Sequence, residues 1–300
     1  MNTVELDRGL RDARSCEAWV EQLAAYFESR QLAFGHGTDN ASDEAYWLVR
    51  GVQQWSPSAW DAAPEQALVP VLLDLAGRRV EERKPLAYLL GEAWFAGLKL
   101  RIDEHVLIPR SPLAELIEAG FQPWCSLSDG DRVLDIGTGS GCLAIATACH
   151  CPDVRVDATE ISPAALRVAA ENVAKHGLQS RVRLLEANLY PEPRAAYRLI
   201  VSNPPYVPQA RLEELPPEYR HEPRAALDGG ADGLAVVSRI LARAADHLLP
   251  GGVLVLEVGE AESAFIEAYP RLPVTWLEFE RGGEGVLVVS REQLTGHSPS

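Results

Sequence analysis

Arg132-Val133-Leu134-Asp135-Ile136-Gly137-Thr138-Gly139-Ser140-Gly141-Cys142-Leu143-Ala144-Ile145-Ala146-Thr147-Ala148 decides the fold. Its first six residues read as a short buried strand, Gly137 to Gly141 as a glycine turn, and the apolar run from Cys142 as a helix. Strand, glycine turn and helix start make the first unit of a doubly wound α/β sheet. In such a unit glycines let a ligand approach the backbone, and helix-terminal N–H groups face it. The turn alone does not name that ligand, because Gly139-Ser140-Gly141-Cys142-Leu143-Ala144 also fits the G-x-G-x-x-A fingerprint of nicotinamide and flavin dinucleotide sites.

The next strand, residues 154–161, ends at Glu160, about 20 residues on, where a carboxylate accepts from ribose hydroxyls. Ser162-Pro163 reads as an N-cap followed by proline at the first helical position, so Glu160 has helix capping as its alternative role. Further strands are expected at 182–187, 199–203, 253–258, 274–279 and 285–290, with helices at 142–150, 163–176, 234–249 and 261–268. Such alternation predicts a mostly parallel sheet with helices on both faces. Only residues 281–284 separate the last two strands, too few for a crossover helix, so these two pair antiparallel. Gly137, Glu160, Asn188 and Asn203 all fall at carboxyl ends of strands, the rim where ligands bind in such sheets.

Asn203-Pro204-Pro205-Tyr206 follows the fourth strand. A nitrogen conjugated to a carbonyl or an aromatic ring has little free lone pair and must be oriented before it attacks. The Asn203 oxygen and a main-chain carbonyl, that of Pro204, can accept both hydrogens of an NH2 group and aim its lone pair outward. Pro204 has no competing N–H, Pro205 stiffens the turn, and Tyr206 offers a flat face for stacking. The plain alternative is an ordinary proline-rich turn after a strand.

Glycine turn, strand-end acid and Asn-Pro-Pro-Tyr, in that order, resemble the S-adenosylmethionine-dependent methyltransferases that modify amide or exocyclic nitrogens. Two branches of that family carry the tetrapeptide, nucleic-acid adenine methyltransferases and protein-glutamine methyltransferases. Arg83-Lys84-Pro85-Leu86-Ala87-Tyr88-Leu89-Leu90-Gly91, Trp94-Phe95-Ala96-Gly97-Leu98 and Val106-Leu107-Ile108-Pro109-Arg110 resemble the hairpin segment of the protein-glutamine branch. After Arg110 the release-factor enzymes continue Pro-Glu-Thr-Glu, whereas Ser111-Pro112-Leu113-Ala114-Glu115-Leu116-Ile117 resembles the subgroup acting on the large-subunit ribosomal protein uL3. Phe34-Gly35-His36-Gly37-Thr38-Asp39-Asn40, Pro217-Glu218-Tyr219-Arg220-His221-Glu222-Pro223 and Phe279-Glu280-Arg281-Gly282-Gly283 are similar to the same subgroup.

The resemblance implies a seven-stranded class I methyltransferase (Rossmann-like) sheet with an antiparallel terminal hairpin and a small N-terminal helical domain. It implies a helical substrate-recognition domain over 1–84, a connecting β-hairpin over 85–112 and a catalytic domain over 113–300. S-adenosyl-L-methionine is the implied cofactor, held by Asp135, Gly137, Thr138, Gly139, Ser140, Gly141, Glu160, Asn188 and Asn203. Asn203, Pro204 and Tyr206 are the implied catalytic residues, and together with Pro205 they form the substrate pocket. The family commonly has aspartate where this chain has Asn188, and a neutral oxygen accepts more weakly from an adenine amino group than a charged one. The alternatives are a release-factor glutamine methyltransferase, an adenine methyltransferase acting on a flipped-out base, and a noncatalytic S-adenosylmethionine-binding ribosome-assembly factor.

Charge bears on that choice. Lys plus Arg number 28 and Asp plus Glu 43, a net charge of −15 that opposes attraction to a phosphate backbone and suits a basic partner such as uL3, free or in an assembling large subunit. Sequence-specific nucleic-acid binding is not expected. No apolar run approaches the ~20 residues that span a bilayer and residues 1–12 are polar, so no membrane association is expected and the chain is expected in the cytoplasm. Cys149-His150-Cys151 has poor zinc spacing without a second Cys/His pair, so no metal site is expected. Helices are expected at 16–30, 43–54 and 68–76, with Trp19, Trp47, Trp55 and Trp60 as packing residues and a hairpin over 94–109 turning at Gly97. The proline-rich segment 207–230 is expected to lack regular structure and to clamp a protein substrate.

Overall fold

The computed structural model describes residues 1–53 and 61–296. Trp55, Trp60 and the expected helix end at Gln54 lie outside them. The chain divides into a helical unit, Met1–Ala93 with Pro216–His221, and an α/β unit, Trp94–Leu215 with the chain from Glu222 onward.

The helical unit is built from α1 (Thr3–Asp12), α2 (Cys16–Glu28), α3 (Ala41–Gln53), α4 (Val69–Glu81) and the short α5 (Leu86–Leu90). Two of these were not expected: α5 falls within the segment 85–112 expected as a hairpin, and α1 was missed because residues 1–12 carry a narrow apolar stripe. A capping box starts it, Asn2 accepting from the Glu5 N–H while the Glu5 carboxylate accepts from the Asn2 N–H, and Leu6 and Leu10, one turn apart, are buried. Ser15 caps α2, whose fully buried Trp19 donates its indole N–H to the Leu10 carbonyl at 2.7 Å. Trp47 is also buried.

One charge lies in the middle of this unit. The Arg79 side chain of α4 is 1% exposed, paired with Glu44 of α3 and, at 3.2 Å, with the fully buried Glu218. Its Nη2 donates to the Ala33 carbonyl at 2.8 Å, while Glu218 accepts from the Ala33 N–H at 3.0 Å and pairs with Arg83 at 2.8 Å. Burial alone would raise the Glu218 carboxyl, but the Ala33 N–H and Arg79 outweigh it and hold the group below its ordinary value.

Next along the chain is the hairpin of β1 (Glu92–Phe95) and β2 (Leu98–Arg101), which turns at Ala96-Gly97 as expected but is paired over a shorter stretch. Residues 102–112 run on without regular structure to α6 (Leu113–Glu118). Then come β3 (Arg132–Ile136), α7 (Cys142–His150), β4 (Arg155–Glu160), α8 (Pro163–Lys175), β5 (Val182–Glu186) and β6 (Tyr197–Ser202). After α9 (Gln209–Leu212) come α10 (Ala235–His247), β7 (Leu248–Glu257), α11 (Glu262–Ala268), β8 (Thr275–Trp276), β9 (Val286–Ser290) and α12 (Arg291–Thr295). The seven-stranded sheet has the order β5-β4-β3-β6-β7-β9-β8, parallel except that β9 pairs antiparallel with β7 and β8. The expected parallel sheet with an antiparallel terminal pair is therefore the observed fold.

Both faces of the sheet are covered, which is why its strands are apolar at consecutive positions. Val133, Val156, Leu199, Val201 and Val255 pack on one side with Leu143 and Ile145 of α7 and Ile117 of α6. Leu134, Ile136, Ile200, Leu254 and Leu256 pack on the other with Val237, Ile240 and Ala244 of α10. The period-2 alternation divides β3, β6, β7 and β9 between the two cores.

Two expectations need adjusting. The edge strand expected over 274–279 is only the two residues of β8, because the amides of Glu280 and Arg281 donate to the Glu115 carboxylate of α6, at 3.0 and 3.1 Å, and draw the chain away from β9. Segment 207–230 is not structureless, since it contains α9 and 3-10 turns at Pro217–His221 and Arg224–Ala226. Among the described residues no helix is long and apolar enough to cross a membrane.

Arg79→Ala would leave Glu44 buried without its counter-charge and Glu218 with Arg83 alone. The expected loss is about 3–5 kcal/mol of unfolding free energy, measured by urea titration; a loss well under 1 kcal/mol would mean the cluster does not hold this unit together.

Candidate active site

The rim formed by the carboxyl ends of β3, β4 and β6 lies at the point where strand order reverses, with β3 between β4 and β6. After β3 the chain turns through Gly137 (φ 74°), Gly139 (φ 55°) and Gly141 (φ 84°), left-handed conformations that residues with a Cβ rarely adopt. The Gly137 and Thr138 amides both donate to the Thr159 carbonyl, at 2.9 and 3.0 Å. Beneath the turn, fully buried Asp135 accepts from the Thr138 hydroxyl at 2.5 Å and the Ala144 N–H at 3.1 Å. Its other oxygen, Oδ1, is buried without a hydrogen-bond partner among the described residues. Burial pushes the Asp135 carboxyl up to about 7, while those two hydrogen bonds pull the other way.

Glu160 closes the turn from β4. Its carboxylate accepts from the Gly139 N–H at 3.0 Å, Ile161 N–H at 2.8 Å and Ser162 N–H at 2.9 Å, while the Ser162 hydroxyl separately caps α8. The side-chain cap of α8 is therefore Ser162, and Glu160 stands beside it at the rim. Asn188, exposed beyond β5, gives its oxygen to the Arg239 guanidinium of α10 at 2.8 Å. At the end of β6, the buried Ser202 hydroxyl donates to the Ile136 carbonyl at 2.8 Å and ties the strand that carries Asn203 to the strand that carries the glycine turn.

A cavity of about 340 Å³ opens above this rim. Gly137, Thr138, Gly139, Ser140, Glu160, Asn188, Asn203, Pro204 and Pro205 line it together. Asn203 is half-buried, and among the described residues its carboxamide has no protein hydrogen-bond partner. Three candidates are not on the wall. Asp135 and Gly141 lie under the turn, where they shape it, and the Tyr206 ring packs over Gly259 with its hydroxyl donating to Glu257 at 3.0 Å. A larger cavity, about 670 Å³, lies at the amino ends of β3, β4 and β5 and contains none of the candidates. Two of its arginines, Arg132 and Arg183, are already paired to the carboxylate of Asp157.

Several wall residues were not foreseen. Val106, Pro109, Arg110 and Ser111, read from the sequence only as part of a connecting hairpin, line the cavity along with Ile161 and Arg239. Two buried carboxylates hold this segment. Glu222 takes Arg110 in a two-point contact, at 2.7 and 2.6 Å, and the Ile108 N–H at 3.1 Å; Glu257 takes the Ser111 hydroxyl as well as that of Tyr206. Burial pushes Glu257 up to about 7 and raises the Tyr206 hydroxyl well above its ordinary value. Asn172 of α8 holds β2 against the turn, exchanging hydrogen bonds with both backbone groups of Arg101 at 2.7 and 2.8 Å and donating to the Ser140 carbonyl at 2.9 Å. Spacing in the sequence offers no sign of these contacts, which join residues far apart along the chain.

The family described as Methyltransferase small domain matches residues 124–215, the stretch from before β3 through the Asn-Pro-Pro-Tyr corner. A Bordetella pertussis protein named ribosomal protein uL3 glutamine methyltransferase is 48% identical over 92% of this chain and 96% of its own length. This chain belongs to the uL3 glutamine methyltransferase family. Other members of the family, from Neisseria meningitidis serogroup A and Xylella fastidiosa, are 44% and 43% identical over 90% and 91% of this chain and 91% and 89% of their own lengths. Among solved structures, the hMettl16 catalytic domain in complex with MAT2A 3'UTR hairpin 6 aligns with a TM-score of 0.50 at 18% identity, over 72% of this chain and 81% of that one, a likeness of fold. All five cysteines are free, and burial pushes the Cys125 thiol up to about 11.

The corner is also packed from behind, since a Cβ on Gly233 (φ 82°) would lie 2.3 Å from the Tyr206 carbonyl oxygen. Gly233→Ala is expected to cost about 2–4 kcal/mol in unfolding free energy from left-handed strain and overpacking, and a calorimetric result equal to wild type would refute the close approach. Asp135 makes a pH-dependent prediction. Its folded value, about 7, lies above the unfolded ~3.9, so its stabilising contribution is complete below pH ~4 and is lost as pH rises through about 7. Relative to Asp135→Asn, wild type should therefore be more stable at pH 5.5 than at pH 8, by about 2 kcal/mol at roughly 1.4 kcal/mol per pH unit. Thermal unfolding of both proteins at the two pH values reads the sign directly.

Proposed function

We propose that this chain transfers a methyl group from S-adenosyl-L-methionine to the side-chain amide nitrogen of a glutamine in the ribosomal protein uL3. The observation that carries this reading is Asn203: its carboxamide, without a hydrogen-bond partner among the described residues, shares one cavity with the glycine turn and sits beside Pro204, which has no N–H. The names of relatives covering nearly the whole chain support uL3 as the substrate.

The residues fit the cofactor. Gly137, Gly139 and Ser140 bring backbone to the cavity with open space above both glycines, Glu160 stands at the rim for a ribose, and the cavity volume falls in the usual range for a small-molecule site. The bound cofactor supplies an electrophilic sulfonium methyl. Everything else is positioning by the chain. The Asn203 oxygen and the Pro204 carbonyl accept the two amide hydrogens, so the nitrogen lone pair points outward as the nitrogen becomes pyramidal. The nitrogen gains the methyl carbon and loses one proton to solvent, with no strong base required, and the electron pair of the broken bond remains on sulfur. Pro205 stiffens the corner. Tyr206 lies off the wall, so we assign it to holding the corner in place rather than to stacking on the amide.

The Asn188 oxygen is engaged by Arg239, and its share in cofactor binding is correspondingly small. Substrate recognition falls to the helical residues 1–84, with 85–112 connecting them to a catalytic domain over 113–300. The substrate is met in the cytoplasm, free or in an assembling large subunit, and the acidic chain suits its basic surface.

Asn203→Ala is expected to lower kcat toward uL3 by at least about 100-fold, the scale of removing one preorganised hydrogen-bonding group, while affinity for S-adenosylhomocysteine stays near wild type. Turnover retained in that variant would remove Asn203 from the chemistry. Mass spectrometry of uL3 and release factors from cells lacking the enzyme tests the substrate, and a methyl missing from release factors alone would overturn uL3.

A further inference from the structure

Glu257 is an odd residue for its place. It ends β7 after Val253-Leu254-Val255-Leu256, is 3% exposed, and is paired in register with Val286 of β9. An aliphatic side chain there would extend the core, whereas a buried carboxyl is unfavourable unless hydrogen bonds compensate it. Its partners are two hydroxyls from separate segments, Ser111 from the cavity-lining segment and Tyr206 from the Asn-Pro-Pro-Tyr corner. Two residues on, Gly259 makes room for the same tyrosine, since a Cβ there would fall 2.4 Å from Tyr206 Cε2. The end of β7 is thus shaped twice over to receive Tyr206.

We propose that Glu257 is a positioning residue for methyl transfer: by holding Tyr206 and Ser111 together it fixes the Asn203-Pro204 corner against the cavity wall. This rests on the function proposed above. Only two prolines separate Asn203 from Tyr206, and their fixed φ leaves the segment little freedom to bend. The corner is held at its start by the Ser202 hydroxyl on the Ile136 carbonyl and at its end by Tyr206 on Glu257. Releasing the second anchor lets the Asn203 oxygen shift, and a displacement near 1 Å costs about 100-fold in rate when the chemistry depends on orientation.

The test uses the full chain and the variants Glu257→Ala, Glu257→Gln, Tyr206→Phe and Ser111→Ala. Methyl transfer to purified uL3 is read as kcat and KM, S-adenosylhomocysteine affinity by calorimetry, and backbone exchange at Tyr206 and Val207 by hydrogen–deuterium exchange. Glu257→Ala should lower kcat by about 30- to 100-fold with cofactor-product affinity near wild type. Glu257→Gln should recover most of that loss, because its oxygen accepts from one hydroxyl and its NH2 donates to the other. Tyr206→Phe should lower kcat by about tenfold, and adding Glu257→Ala to it should cost less than in wild type, since both remove the same hydrogen bond.

Wild-type kcat in Glu257→Ala, full additivity of the two losses, or a fall in cofactor-product affinity matching the fall in kcat would each overturn the proposal. If the alanine variant does not fold, Tyr206→Phe and Ser111→Ala carry the test, and unchanged kcat in both overturns it. If the wild-type chain binds S-adenosylhomocysteine but does not methylate uL3, the function above fails. Exchange at Tyr206 and Val207 then decides the clamp separately, faster in Tyr206→Phe supporting it and unchanged refuting it.

Discussion

A parallel strand that stops inside a protein leaves its last carbonyls and amides without ladder partners, and where these are buried each must find another. The site is shaped by how this chain meets that requirement. The Thr159 carbonyl takes two amides from the glycine turn, while the Thr159 hydroxyl donates to the Leu189 carbonyl at 2.6 Å. Ser202 takes the Ile136 carbonyl, and Asp135 caps the turn from below. Four successive strand ends are stitched to one another in this way, and the cavity is the space left above the stitching. Removing the Thr159 or the Ser202 hydroxyl would take a donor from the Leu189 or the Ile136 carbonyl and loosen the rim.

The same economy of buried polar groups governs the outer wall. Segment 106–111 has no ladder of its own, so buried carboxylates from distant parts of the chain hold it: Glu222 through Arg110 and the Ile108 amide, and Glu257 through Ser111. Several donors at once offset part of each carboxylate's desolvation, the condition under which a buried acid is tolerated. Glu257 and Asp135 both keep values near 7, so these anchors stand close to the boundary between charged and neutral forms at ordinary pH.

Much of the site could be read from the chain because its residues sit at strand ends, and strand ends are marked by where apolar periodicity stops. Gly137, Glu160 and Asn203 reach one cavity for that reason. Tyr206 and Asp135 were also found by motif, but a motif says nothing of which way a side chain turns, and both turn away from the cavity to support its walls. Arg110, Ser111, Glu222, Glu257 and Gly233 had no periodic signal. Their roles come from contacts such as Arg110 with Glu222 or Ser111 with Glu257, more than a hundred residues apart. The edge strand was overread for a related reason, since its apolar alternation could not show that Glu115 would take the amides of Glu280 and Arg281.

By itself the sequence determined the sheet class, the antiparallel end and the residues of the rim, because hydrophobic periodicity, turn chemistry and loop length act over a few residues and leave their mark locally. Only the tertiary structure decided which of those residues face the cavity, which lie behind it, and what holds the corner still. Those outcomes depend on buried hydrogen bonds between distant segments, whose partners are chosen by the requirement that every polar group taken out of water be satisfied by whatever the fold brings beside it.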